Sequence, residues 1–406
     1  MPIKIIASVL VLLSIIGCGN NSREKDPKET KTYHLTKERS AQLDSLDILL
    51  TQKANQDILP GFAVSIFSKD TVFLQKGYGY ANMEKQLRYN PQTVQMIASV
   101  SKTMIGVALM KAVQDNKLSL DDPISQFLPF PIQHVHFPEN AITVRHLATH
   151  TAGITDDPHG GKGNIFSKKL VKDNWREVWH PFIAKYNANV DVPMDEFLTA
   201  IFSKDGAWYT EEIFLNHAPG THYEYSNFGT ALLAHIIERA TGTDYREYTR
   251  KHILEPLQMK RSGWSRNEVD VENHIAYYND SYHAVPEYHI ITYPDGGLYS
   301  TVEDLTLFLQ EMMQGYDGQG TLLSAASYKE MFGVYNPELD SKTGLIWDLD
   351  QDCCIGHGGN DFGIATMMYF FKDQGIGRIL FGNLDVQQEQ QDEAFYSIHN
   401  ELYSFK

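Results

Sequence analysis

Ser99 is followed three residues later by Lys102, at the mouth of the run MIASVSKTMIGVALMKAV over residues 96–113. On a helix, positions i and i+3 share a face, so the Lys102 amine can lie beside the Ser99 hydroxyl. A serine with a base within reach is the minimal arrangement for an activated nucleophile. Free N–H groups and the partial positive charge at a helix N-terminus suit a developing oxyanion. Apart from Lys111 the rest of the run is almost wholly apolar, on all sides, which predicts a helix buried deep in the fold. A polar pair at the mouth of such a helix is costly unless it is paired or used.

Two further groupings carry candidate chemistry. Tyr225-Ser226-Asn227 stands between Pro219-Gly220 and Gly229, so it reads as a loop. Residues two apart in extended chain point the same way, which lets Tyr225 and Asn227 face one cleft. A tyrosine can act as general base or acid beside a cation, and an asparagine can donate to a substrate carbonyl while accepting from a lysine. His357-Gly358-Gly359-Asn360 stands just before a predicted strand over 362–371. Its glycines permit close backbone approach, and an N–H there would complete an oxyanion hole with the Ser99 N–H. Taken alone, His357 equally fits a structural role.

These groups need a scaffold. Residues 37–56 read as an amphipathic helix with Leu43, Leu46, Leu49 and Leu50 on one face. Gly61–Ser68 and Thr71–Gly77 are β-rich runs around Lys69-Asp70, a hairpin signal. From about 140 to 285 the chain reads as helices and loops, and 155–215 shows no strand alternation. Strand-like runs return at 344–350, 362–371 and 377–384, the last two divided by the turn Lys372–Gly375, and a final helix is predicted over 388–403. Strands at both ends and helices between predict an α+β sandwich: an antiparallel sheet built from both chain ends, flanked by helices, with a mainly helical inserted region.

The 406 residues are 42% hydrophobic and 21% charged, ordinary for a globular chain. A formal charge of −16 without a basic stripe argues against nucleic-acid binding. Three cysteines are too few for a disulfide scaffold, and the neighbours Cys353 and Cys354 read as two small buried residues rather than a bridge. His134-Val135-His136 lacks the further ligands a zinc site needs, H-E-x-x-H is absent, and so is G-x-S-x-G. Residues 1–17 combine a short basic start with an apolar stretch too short to span as a mature helix, the pattern of a secretory leader. Residues 18–36 are polar and without periodicity, a flexible tether before a domain at 37–406. The aromatic residues Trp175, Trp179, Tyr186, Trp208 and Tyr209 read as filling the helical region or lining a cleft.

S-x-x-K, Y-x-N and H-x-G, in that order, resemble the serine β-lactamase-like family, in particular its class C β-lactamase, DD-peptidase and esterase branch. The segments TVRHLATHTAGI (143–154), APGTHYEYSNFGTALLAHIIERATG (218–242), HILEPLQMK (252–260) and PDGGLYSTVEDL (294–305) carry the same resemblance. It implies a β-lactamase/transpeptidase-like fold and acylation of Ser99 followed by hydrolysis, without metal or cofactor. By the same resemblance, Lys102 and Tyr225 move the proton, and Asn227 orients substrate and Lys102. The Ser99 and Asn360 N–H groups hold the oxyanion beside Gly358 and Gly359. His357 stands where many members carry lysine, and Gly358 offers no hydroxyl, which leans the reading toward an esterase or D-amino-acid peptidase. The alternatives are a β-lactamase or DD-carboxypeptidase proper, or a slow-turnover penicillin-binding sensor of cell-wall fragments. Arg145, Lys162, Lys168 and Lys169 are further anion contacts or solvated charges. Ile15-Ile16-Gly17-Cys18 resembles a lipoprotein signal, implying lipidation of Cys18 and a membrane anchor. Gly19, where inner-membrane retention would place Asp, favours the outer membrane. The expected partners are a small ester or amide, or a peptidoglycan-type peptide, and the membrane; the sequence carries no reading of oligomeric state.

Overall fold

The computed structural model describes residues 36–339, 342–350, 353–386 and 389–405. The expected leader, Cys18 and the tether up to residue 35 lie outside the described residues. The domain is organised on one antiparallel sheet. Strand β1 (Gly61–Phe67) pairs through a tight turn at Lys69-Asp70 with β2 (Val72–Asn82), which pairs with the short β3 (Leu87–Arg88). From the far end of the chain come β4 (Asp348–Leu349), β5 (Cys354–Asp361), β6 (Ile364–Phe371) and β7 (Ile376–Gly382). The spatial order is β3-β2-β1-β7-β6-β5-β4, so the two chain ends meet at the centre, with Phe62 opposite Gly382 and Phe67 opposite Gly377.

Both faces of β1 are covered, and the period of two assigns its residues. Phe62, Val64 and Ile66 pack with Leu46 and Leu50 of α1 (Lys37–Ala54) and with Phe395, Ile398 and Leu402 of the C-terminal helix Glu389–Leu402. Ala63 and Phe67 face the larger core, which holds the helix Val302–Tyr316. There Thr306 on that helix donates to Ser65 Oγ at 2.9 Å. A one-residue slip of β1 would exchange these two faces, so its register is strongly specified.

Helix α2 (Lys102–Gln114) is buried on nearly every side, as its composition predicts, and packs on α3 (Asn227–Thr241). It begins later than the apolar run suggests. Ala98 sits at φ +47°, a left-handed conformation that cannot start an α-helix, so Ser99 lies on a short 3₁₀ turn, Ala98–Ser101. Gly106 is required where α2 meets the C-terminal segment: a Cβ there would lie 2.8 Å from the Leu345 carbonyl oxygen.

Several sequence expectations change. The His357-Gly358-Gly359-Asn360 stretch, outside the expected strands, is part of β5, and β6 starts at Ile364. The intervening turn is held by Gly363 at φ +71° and by its N–H donating to Asp385 Oδ1 at 2.6 Å. Of 344–350, only Asp348 and Leu349 form strand. The 155–215 segment contributes Asn164–Phe166 to a two-stranded ladder with Tyr288–Ile290. Cys353 and Cys354 are joined as a disulfide. The chain bends at Cys353 just before β5, so the pair escapes the alternation that would point the two sulfurs apart in extended strand. No helix among the described residues is long and apolar enough to cross a membrane.

Candidate active site

Lys102 is fully buried, and its Nζ has three acceptors: Ser99 Oγ at 3.1 Å, Asn227 Oδ1 at 2.7 Å and the Asp295 carbonyl oxygen at 2.5 Å. Three acceptors match the three donors of an ammonium group, so a lysine that is otherwise costly to bury is satisfied. The Tyr225 ring centroid lies 5.1 Å from the same nitrogen. Ser99, Lys102, Tyr225 and Asn227 thus come together from two separate stretches of chain, where α2 meets the start of α3.

Tyr225 and Asn227 are fixed by two residues that the motifs do not include. His150, at φ +54°, accepts the Glu224 N–H on its carbonyl at 2.8 Å and the Ser226 N–H on Nδ1 at 3.2 Å. The imidazole stacks on the Tyr225 ring between these two bonds, 4.6 Å away at 25°. Burial, the Lys102 charge and His357 push its pKa down to about 3, so it stays neutral with Nδ1 free to accept. Asp156 meets the N-terminus of α3. It accepts the Asn227 N–H on Oδ2 at 2.6 Å, the Phe228 N–H on Oδ1 at 3.2 Å and the Ser226 hydroxyl at 2.6 Å. Ser226 Oγ in turn accepts the Gly229 N–H at 2.8 Å. The free donors at this helix end are therefore capped, and the carboxylate suits the positive end of the dipole.

Strand β5 closes the other side. A Cβ on Gly359 would lie 2.8 Å from both the Ser99 nitrogen and the Ile97 carbonyl oxygen, so only glycine lets the strand run this close to the nucleophile's amide. Ser99 and Asn360 both line a cavity of about 390 Å³. His357 is buried, with Nδ1 against the Gly358 carbonyl and its ring 6.3 Å from that of Tyr225. Neither His357 nor Gly358 is among the residues lining the cavity. Of the five aromatic candidates, Trp179 and Tyr186 line the cavity; Trp175 is buried against Phe362, and Trp208 packs on Phe197. None of the candidate anion contacts lines it. Arg145 pairs with Asp121 and Glu330, Lys162 lies over the Trp208 ring, and Lys168 and Lys169 are exposed.

The cavity instead carries four carboxyl groups: Asp156, Asp295, Asp361 and Asp385. Burial pushes Asp295 up to about 7 against the pull of Lys102, and Asp361 up to about 6. Burial raises Asp385 as well, with Asp280 and Asp361 adding to it, and raises Asp156 in spite of its hydrogen bonds. Sequence reasoning passed over all four, because a lone aspartate in a loop looks like a solvated charge. Among the described residues, no group of His, Cys, Asp and Glu is arranged to hold a metal ion.

A sheet built from both chain ends, with a serine–lysine pair at its helical boundary, is the β-lactamase/transpeptidase-like fold. A sequence model of the family described as Beta-lactamase matches residues 46–402, and the chain belongs to that family. It is similar to Protein flp of Staphylococcus aureus strain MW2, 25% identical over 86% of this chain and 64% of that protein. It is also similar to the human mitochondrial serine beta-lactamase-like protein LACTB, 28% identical over 69% of this chain and 57% of that one. The chain thus spans about three-fifths of the length of these relatives. Among solved structures, an octameric penicillin-binding protein homologue from Pyrococcus abyssi aligns with a TM-score of 0.66 at 26% identity, covering 89% of this chain and 77% of that one. A class C beta lactamase aligns with a TM-score of 0.63 at 20% identity, covering 90% and 99%, a likeness of fold alone.

Proposed function

We propose that the protein is a serine hydrolase that forms an acyl-enzyme on Ser99 and hydrolyses an ester or amide. The observation that carries this reading is the buried Lys102 amine, held 3.1 Å from Ser99 Oγ at the edge of an open cavity. Acylation forms the Ser99 Oγ–C bond and breaks the bond to the leaving group. The hydroxyl proton passes through Lys102 and Tyr225 to that group. Water then forms the new C–O bond, the Oγ–C bond breaks, and a proton from that water passes to Oγ. The turn at Ser99 and the adjacent β5 strand supply the N–H side of the site, where donors fixed in advance favour the tetrahedral oxyanion.

An esterase or peptidase reading is favoured over a β-lactamase or DD-carboxypeptidase. Those substrates present a carboxylate, and no Lys, Arg or His among the described residues lines the cavity. The leader-like start and Cys18 support a lipid-anchored protein acting outside the cytoplasm. The test of the core reading is a fluorophosphonate probe followed by mass spectrometry, together with hydrolysis of p-nitrophenyl acetate. Label on Ser99 and loss of hydrolysis in Ser99→Ala are expected. Activity that survives in a folded Ser99→Ala protein removes the mechanism. A fluorescent penicillin that labels Ser99 and stays there would instead favour a slow-turnover sensor.

A further inference from the structure

The far end of the cavity combines negative groups with aromatic walls. Asp361 and Phe362 lie in and beside the turn between β5 and β6, and Asp385 clamps that turn through the Gly363 N–H. Asp385 is 2% exposed and Asp295 5%, and among the described residues the Oδ2 atom of each has no hydrogen-bond partner although both residues line the cavity. A buried carboxyl oxygen without a hydrogen-bond partner is costly to ionise unless a cation arrives, and marks a place for one. The Phe362 ring lies 5.1 Å from Tyr186 and 5.8 Å from Trp179, both cavity-lining, so aromatic surface stands beside the carboxylates. Carboxylates and ring faces together attract an ammonium group and repel an anion.

We propose that this end of the cavity is a cation subsite, with Asp361 and Asp385 binding an ammonium group of the substrate between the Trp179 and Tyr186 rings. The substrate of Ser99 is then an amine-bearing ester or amide. The ammonium belongs either to the acyl part, as in an aminoacyl ester, or to the leaving group, as in an aminoalkyl ester. This inference rests on the hydrolase reading for its chemistry but not for its binding.

The test has two parts. In the first, kcat/KM is compared within isosteric pairs: glycine p-nitrophenyl ester against p-nitrophenyl propionate for the acyl side, and 2-aminoethyl acetate against propyl acetate for the leaving side. A preference for the ammonium member of roughly 10- to 100-fold in one pair is expected and identifies the side. In Asp385→Asn and Asp361→Asn that ratio falls toward one, carried mostly by KM. In the second, thermal unfolding of Ser99→Ala is followed with n-butylammonium and with n-butanol. A rise in Tm of roughly 2 °C or more with the cation alone, lost in Ser99→Ala/Asp385→Asn, is expected. Hydrolysis of neutral and cationic esters at equal rates without a cation-specific shift overturns the subsite and leaves the hydrolase intact. A cation-specific shift without hydrolysis of any ester retains the subsite and overturns the hydrolase. A shift produced by Ca²⁺ but not by n-butylammonium also overturns the subsite.

Discussion

His150 lies flat against Tyr225, ring on ring at 4.6 Å, and is hydrogen-bonded to the residue on each side of it. The tyrosine ring is therefore held by a neutral imidazole. His150→Ala should lower kcat/KM for p-nitrophenyl acetate at least tenfold, mainly through kcat, with assays run well below the unfolding temperature. His150→Asn keeps an acceptor and tolerates positive φ. It should recover about 1–2 kcal/mol of the stability that His150→Ala loses, as seen in urea unfolding, yet regain little activity. Full activity in either variant would remove the positioning role.

Asp156 accepts from two backbone N–H groups and one hydroxyl at the start of α3. Asp156→Asn turns one acceptor into a donor facing an N–H. A loss of about 1–3 kcal/mol in urea unfolding is expected. Turnover should fall as well, because Asn227 then no longer meets Lys102. Unchanged stability would show that the cap is dispensable.

Gly359→Ala tests the approach of β5 to the nucleophile. The added methyl group would meet two backbone atoms at 2.8 Å, neither of which can rotate away. Labelling of Ser99 by a fluorophosphonate should slow by roughly 100-fold. The stability cost should stay near 1–3 kcal/mol. Normal labelling in a folded variant would place the oxyanion donors elsewhere.

Asp295 gives a pH signature. Its folded pKa of about 7 lies above the ordinary 3.8, so the native state holds a proton that the unfolded chain has released. The stability this provides is fully present below pH 3.8 and is lost as the pH rises through 7, at most about 1.4 kcal/mol per unit. Asp295→Asn cannot ionise. The variant should therefore gain on wild type by roughly 2–3 kcal/mol between pH 5 and pH 8, and the difference should be flat above that. Parallel urea unfolding series at these pH values measure it, and a difference that does not change with pH contradicts the assignment.

What the sequence made legible was what repeats locally. The turn at Lys69-Asp70, the packing of Leu43, Leu46 and Leu50 of α1 and the almost wholly apolar run of α2 each stand in their own few residues and are present, while Leu49 is not part of that packed face. Two of the three motifs named Ser99, Lys102, Tyr225 and Asn227, which the fold brings together. Strand β5 was hidden because three of its eight residues are glycine, which is poor in strands. Here Gly359 lets the strand press against the Ser99 turn. His150 and Asp156 were hidden for a different reason. Their partners are more than sixty positions away, and nothing in a local window marks a histidine as neutral or an aspartate as a cap. The acidic lining was hidden in the same way, since only burial distinguishes Asp361 and Asp385 from surface charges.

The pairing of β1 with β7 also bears on how the molecule is made. Phe62 finds Gly382 across nearly the whole chain, so the central ladder cannot form until the last strand has emerged. Until then the β1–β2 hairpin presents a bare apolar edge, open to pairing with another chain. Contacts of such long sequence separation are slow to form. The Ser99 turn leans on β5, which also comes from the late part of the chain. A nascent chain that has not yet delivered β5 therefore lacks the strand that closes the Ser99 site.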